Sequence, residues 1–92
     1  MGLLNWPEIR KRYPNKIVLV EARTVYLKGN KRVIEEMCVL GNYENSREAW
    51  SAYKKFRFKL SARELYLFHT SNAQIDVDIL FVKNYIKIKT QN

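Results

Sequence analysis

The dipeptide Gly29-Asn30 narrows what this chain can become more than any other feature. It separates two runs, Ile17 to Leu27 and Lys31 to about Tyr43, that are both rich in β-branched and aromatic residues. A two-residue loop of this kind closes an antiparallel hairpin through a II′ or I′ turn, because glycine takes the positive φ that other residues resist. The turn sets a register in which Lys28 opposes Lys31 and each step outward keeps a constant index sum. One face then pairs Tyr26 with Val33, Ala22 with Met37 and Val20 with Val39. The other pairs Val25 with Ile34, Arg23 with Glu36 and Glu21 with Cys38. The first face is nearly all apolar; the second is mixed, and either wet or covered only near its Leu19 and Leu40 end.

Helix signals flank the hairpin. Asn5-Trp6-Pro7-Glu8 reads as an N-cap followed by proline in the first turn and a glutamate placed for the reciprocal capping bond. Pro14 restricts Tyr13 to extended conformations, so the span is Trp6 to about Arg12. Asn45-Ser46-Arg47-Glu48 repeats the logic, and Ala49, Trp50, Ala52, Tyr53 and Phe56 then share one helical stripe, with Lys54, Lys55 and Arg57 on the solvent side.

Beyond this main helix, Arg63 to Thr70 reads as a third strand. Ile75-Asp76-Val77-Asp78-Ile79 reads as a fourth, and Tyr85 to Lys89 either continues it past a bend or adds a fifth. The expectation is an α+β domain covering residues 1–92, ordered α-β-β-α-β-β. It has two layers, an antiparallel sheet of four or five strands and one main covering helix. Its core should hold Val20, Ala22, Val33, Met37, Val39, Ala49, Tyr53, Phe56, Leu65, Leu67 and Val77.

At 92 residues with 47% hydrophobic content the chain suits one folded core. Its 17 Lys and Arg against 9 Asp and Glu give a net charge of +8, which favours acidic partners. Cys38 is the one cysteine, which suits a reducing, cytoplasmic setting, and no apolar run approaches the length of a membrane helix.

Little in the sequence points to catalysis. His69, the one histidine, could serve Cys38 or a serine nucleophile, but a strand histidine beside Thr70 and Ser71 is more often bonded to nearby backbone. Asp76 and Asp78 share a strand face yet are too few for a metal, and no glycine-rich phosphate loop or cysteine pair occurs. No catalytic residue, metal or cofactor is therefore expected.

The basic residues form clusters: Arg10, Lys11 and Arg12 with Lys16; Lys54, Lys55, Arg57 and Lys59 with Arg63; and Lys83, Lys87 and Lys89. Trp6, Tyr13, Phe58 and Tyr85 stand close by in sequence, a composition that suits single-stranded nucleic acid, with cations for phosphates and rings for stacking.

Trp6 and Ile9, Tyr13-Pro14 with Lys16, Val18-Leu19-Val20-Glu21-Ala22, Ser46 with Glu48-Ala49-Trp50, Tyr53, Glu64-Leu65-Tyr66 and Phe68-His69-Thr70 together resemble a family of small bacterial proteins of unassigned activity. The likeness spans most of the chain, although the family commonly has Trp at the position of Ile17 and differs from Asp78 onward. Its members often lie beside genes for retroviral-like aspartic proteases, so the resemblance implies a non-enzymatic binder of a protein partner, in a two-gene bacterial or phage system. In that reading Tyr66, Phe68, His69 and Thr70 form a contact surface, although burial in the strand explains the aromatics equally well. A nucleic-acid binder using the basic clusters is the alternative, and the sequence leaves monomer and homodimer both open.

Overall fold

The structure, a computed structural model, describes residues 2–75 and 77–78, the last two by their backbone. Its elements are α1 (Trp6–Arg12), β1 (Ile17–Lys28), β2 (Lys31–Tyr43), α2 (Ser46–Lys59), β3 (Leu65–His69) and β4 (Val77–Asp78). Three antiparallel strands lie in the order β3-β1-β2, and the two-residue β4 pairs with the start of β2 at Lys31 and Arg32. Asp76, Ile79 and the stretch Tyr85–Lys89 lie outside the described residues, as does the side chain of Val77.

Both helices start where their caps dictate. The Asn5 side chain accepts from the Glu8 N–H at 2.9 Å while the Glu8 carboxylate accepts from the Asn5 N–H at 2.9 Å, closing a capping box. At α2 the Asn45 side chain accepts from the Glu48 N–H at 2.9 Å. The hairpin turns on Gly29 at φ +64 with Asn30 outside the positive region, the sign pattern of a II′ turn.

Register about that turn follows the constant index sum for Lys28↔Lys31, Tyr26↔Val33, Val25↔Ile34, Ala22↔Met37, Glu21↔Cys38 and Val20↔Val39. Arg23 does not face Glu36. The ladder shifts on either side of Thr24, which takes that place and donates its hydroxyl to the Glu36 carboxylate at 3.1 Å. A further shift between Leu19 and Val20 sets Leu19 opposite Gly41. Such irregularities bend a strand and increase its twist.

The bend has a measurable result. Glu64 lies beside Ala22, whose N–H it accepts at 2.9 Å, whereas Arg32 lies opposite Leu27. In a flat sheet those positions would be about 17 Å apart along the strand. Instead the Arg32 guanidinium grips the Glu64 carboxylate through two bonds of 2.7 Å, so the far half of the hairpin curls back toward β3.

A single covering helix is not what forms. Val18, Val20, Ile34, Met37, Tyr66 and Phe68 pack beneath Trp6 and Ile9 of α1, with Ile75 completing the cluster. Ile17, Leu19, Leu65 and Leu67 pack beneath α2 through Ala49, with Trp50, Ala52, Tyr53 and Phe56 around them. Each sheet face thus has its own helix, and the two-layer expectation is corrected to helix on both sides. The expected core had mixed the two faces, grouping Val20 and Met37 with α2. The physical reason lies in Ile17, Leu19, Leu65 and Leu67, fully or almost fully buried, which make the mixed face apolar where α2 sits.

Candidate interaction surface

Where each basic residue sits follows from the two-sided fold. Arg10, Lys11 and Arg12 form the last turn of α1, on one side of the sheet, and Lys54, Lys55 and Arg57 belong to α2, on the other. The structure therefore does not merge the first two clusters into one face. Lys83, Lys87 and Lys89 lie outside the described residues.

Several of these cations are already engaged. The Arg10 Nε–H donates to the Thr70 carbonyl at 2.8 Å, anchoring α1 to the end of β3. Lys16 pairs through Nζ with the exposed Glu44 carboxylate. Lys11 and Arg12 are exposed, as are Lys54, Lys55 and Lys59. Arg57 is half-buried and donates to the Ser61 carbonyl at 3.0 Å, holding the turn after α2.

Tyr66, Phe68 and Thr70 do not form a contact surface. All three are buried, because β3 is covered on both faces. Phe68 stacks on Tyr66 at 5.6 Å between ring centroids and meets the Trp6 edge at 5.8 Å. The Thr70 hydroxyl donates to the Tyr13 carbonyl at 2.7 Å and accepts from the Lys16 N–H at 2.9 Å, tying down a loop in which Asn15 adopts φ +56.

His69 is half-buried, and its Nδ1 accepts from the Ser71 N–H at 3.1 Å, which leaves the proton on Nε2. It is not assembled with Cys38. Cys38 faces Glu21 and His69 faces Ile17, on opposite sides of β1. That offset puts their main chains roughly 16 Å apart, beyond the reach of a nucleophile and its base. Cys38 is buried and instead accepts from the Arg23 guanidinium at 3.5 Å.

The densest polar group was not legible as a site. Glu64 takes both bonds from Arg32 and a third from the Tyr66 hydroxyl at 2.6 Å. The guanidinium holds the Glu64 carboxyl below its usual range, and burial, reinforced by Glu64, pushes the Tyr66 phenol up. The nearly buried Glu21 carboxylate is met by Arg63 at 2.5 Å. These groups satisfy one another and brace the fold. Among the described residues no group of three or more His, Cys, Asp and Glu could hold a metal, and no helix is long and apolar enough to cross a membrane.

No family model, curated protein or solved structure matches the chain.

Among the described residues Leu3, Tyr26, Leu27 and Phe58 are exposed large hydrophobics, and Phe58 is the most exposed of the four. Phe58, near the end of α2, is 88% exposed, with exposed Lys54, Lys55 and Lys59 on the same half of the helix. Its ring and Tyr53, Lys54, Arg57 and Ser61 line a shallow groove. Sequence had marked Phe58 only as an aromatic beside cations; its exposure follows from the helix phase, in which Ala49, Ala52, Tyr53 and Phe56 take the sheet side.

Proposed function

We propose that this protein is a non-enzymatic interaction module that binds an acidic protein partner through the C-terminal half of α2. The observation that carries the reading is Phe58, an aromatic ring 88% exposed on a helix whose opposite face is packed. Burying such a ring contributes about 1.5–3 kcal/mol, and aromatic anchors ringed by polar groups dominate protein interfaces. The surrounding cations and the net charge of +8 suit carboxylates on the partner's rim. The resemblance to small bacterial proteins supports a partner encoded beside this chain, within a cytoplasmic two-gene system. The platform in this reading is the α-β-β-α-β-β chain with a four-stranded sheet.

Co-purification from the native host, followed by isothermal titration with the recovered partner, tests it. Phe58→Ala should weaken binding at least tenfold, and Lys54→Glu with Lys55→Glu should weaken it and flatten its salt dependence. Equal affinity for all variants would remove α2 from the interface. The same cations and ring could serve a single-stranded nucleic acid. Anisotropy titrations with labelled oligonucleotides separate the two, since a nucleic-acid binder loses affinity steeply with salt and needs no protein partner.

A further inference from the structure

The solvent face of α2 has a charge and a shape that together narrow what lies on it. Ala49 is buried beneath the helix, and Trp50, Ala52, Tyr53 and Phe56 pack around the same cluster, so the sheet holds one side of α2 firmly. On the other side Arg47, Ser51, Lys55 and Lys59 follow one another every four residues. Lys54 and Phe58 form the neighbouring row, with Trp50 at its start. All of these except the half-buried Trp50 are exposed.

The cations of this face are unspent. Among the described residues Arg47, Lys54, Lys55 and Lys59 have no ion-pair partner, and Glu48 is the one acid of the helix. From Arg47 to Phe58 the face is about 16 Å long, at about 1.5 Å of rise per residue.

Shape and main-chain bonding specify the complement. Helices meet by seating a ridge of one in the groove between two rows of the other, which needs a small side chain where the axes cross. Ser51 is the smallest residue of the two rows, with Arg47 and Lys55 one turn to either side, Lys54 beside it and Phe58 one turn beyond Lys54. The N–H groups of α2 are spent within the helix, from Ala49 on the Asn45 carbonyl to Leu60 on the Phe56 carbonyl. An extended segment laid here would find no main-chain partner and would leave its own polar groups unpaired, whereas a helix satisfies its own.

We propose that the solvent face of α2 takes up an acidic amphipathic α-helix of a protein partner. The two helices cross at Ser51, with carboxylates reaching Arg47, Lys54 and Lys55 and an apolar residue covering the Phe58 ring. Charge selects the occupant. A second copy would set this cationic face against itself within two +8 domains, whereas an acidic helix complements it along its length. The inference rests on the reading of α2 as a protein-binding surface, and adds to it the N-terminal half of the helix and the form of the partner.

NMR titration of the intact chain tests it, with a capped helical peptide of Glu, Ala and Leu as probe. Its Lys, Ala and Leu counterpart and a version with a central proline are the controls. Amide shifts should move from Arg47 to Phe58 and not at Lys11 and Arg12, exposed cations of α1 on the other side of the sheet. The Lys peptide should not bind, and the proline, which breaks a helix, should weaken binding at least about tenfold. Ser51→Lys separates a helix crossing from general attraction. An added cation strengthens a diffuse ionic contact, but a long side chain at the crossing should weaken the peptide about fivefold. Tighter binding by Ser51→Lys, shifts shared equally by α1 and α2, or a proline peptide that binds as well as its parent would overturn the proposal. So would a single-stranded oligonucleotide that displaces the peptide from α2 at a lower concentration, which marks a nucleic-acid face. If the host partner is weakened by Phe58→Ala but not by Arg47→Glu or Ser51→Lys, the helix inference fails while the reading of the C-terminal half of α2 stands. If none of the three weakens it, both fall.

Discussion

Removing the Glu64 carboxylate should destabilise the protein more than removing either group bonded to it. Glu64→Ala takes away a two-bond ion pair to Arg32 and the acceptor of the Tyr66 hydroxyl. The Arg32 and Glu64 side chains are 30% and 28% exposed, so the pair is partly screened and is worth about 1 kcal/mol, near the top of the surface range. Tyr66 is 5% exposed, and orphaning its hydroxyl adds about 1–2 kcal/mol. The sum is about 2–3 kcal/mol, a fall of roughly 10–20 °C in Tm for a domain of this size. Arg32→Ala, which leaves Glu64 the Tyr66 donor, should cost about 1–2 kcal/mol, and Tyr66→Phe about 1 kcal/mol. Urea unfolding of the singles and the Arg32→Ala/Glu64→Ala double should give a coupling of about 1 kcal/mol. The pH dependence has a definite sign. Because the folded Glu64 pKa is depressed, the advantage over Glu64→Gln is full above the ordinary value of 4.5 and vanishes as pH falls through the folded value. A Glu64→Ala variant within about 0.5 kcal/mol of the parent, or a coupling near zero, would refute the claim that this contact holds the curled hairpin to β3.

Thr70→Val should cost about 2 kcal/mol in urea unfolding, because it orphans the Lys16 N–H and the Tyr13 carbonyl, while Thr70→Ser keeps both bonds and should cost less than about 1 kcal/mol. Gly29→Ala meets no neighbouring atom within 4 Å, so its penalty of about 1 kcal/mol comes from backbone conformation alone and Gly29→Asn should recover part of it. Trp6→Phe should cost about 1–2 kcal/mol by losing volume and the indole N–H bond to the Asn72 carbonyl at 2.8 Å, read as loss of Tm. Above the ordinary tyrosine value of 10.0 the raised Tyr66 pKa removes stability, since the unfolded phenol ionises first; Tyr66→Phe should flatten that alkaline decline.

Local chemistry was legible in the sequence. Asn5, Pro7, Glu8 and Pro14 bound α1, Asn45 starts α2, and Gly29 sets a register that holds from Lys28↔Lys31 to Val20↔Val39 apart from the shifts at Thr24. Each depends on groups within a few residues or on a turn that propagates a fixed period. Tertiary structure alone decided the rest. The same alternation that marks β3 as a strand could not tell that both its faces would be covered, which turned Tyr66 and Phe68 from a contact surface into core. Nor could it show that bulges beside Thr24 would carry Arg32 to Glu64, because that contact joins residues 32 apart through a bend whose size depends on packing.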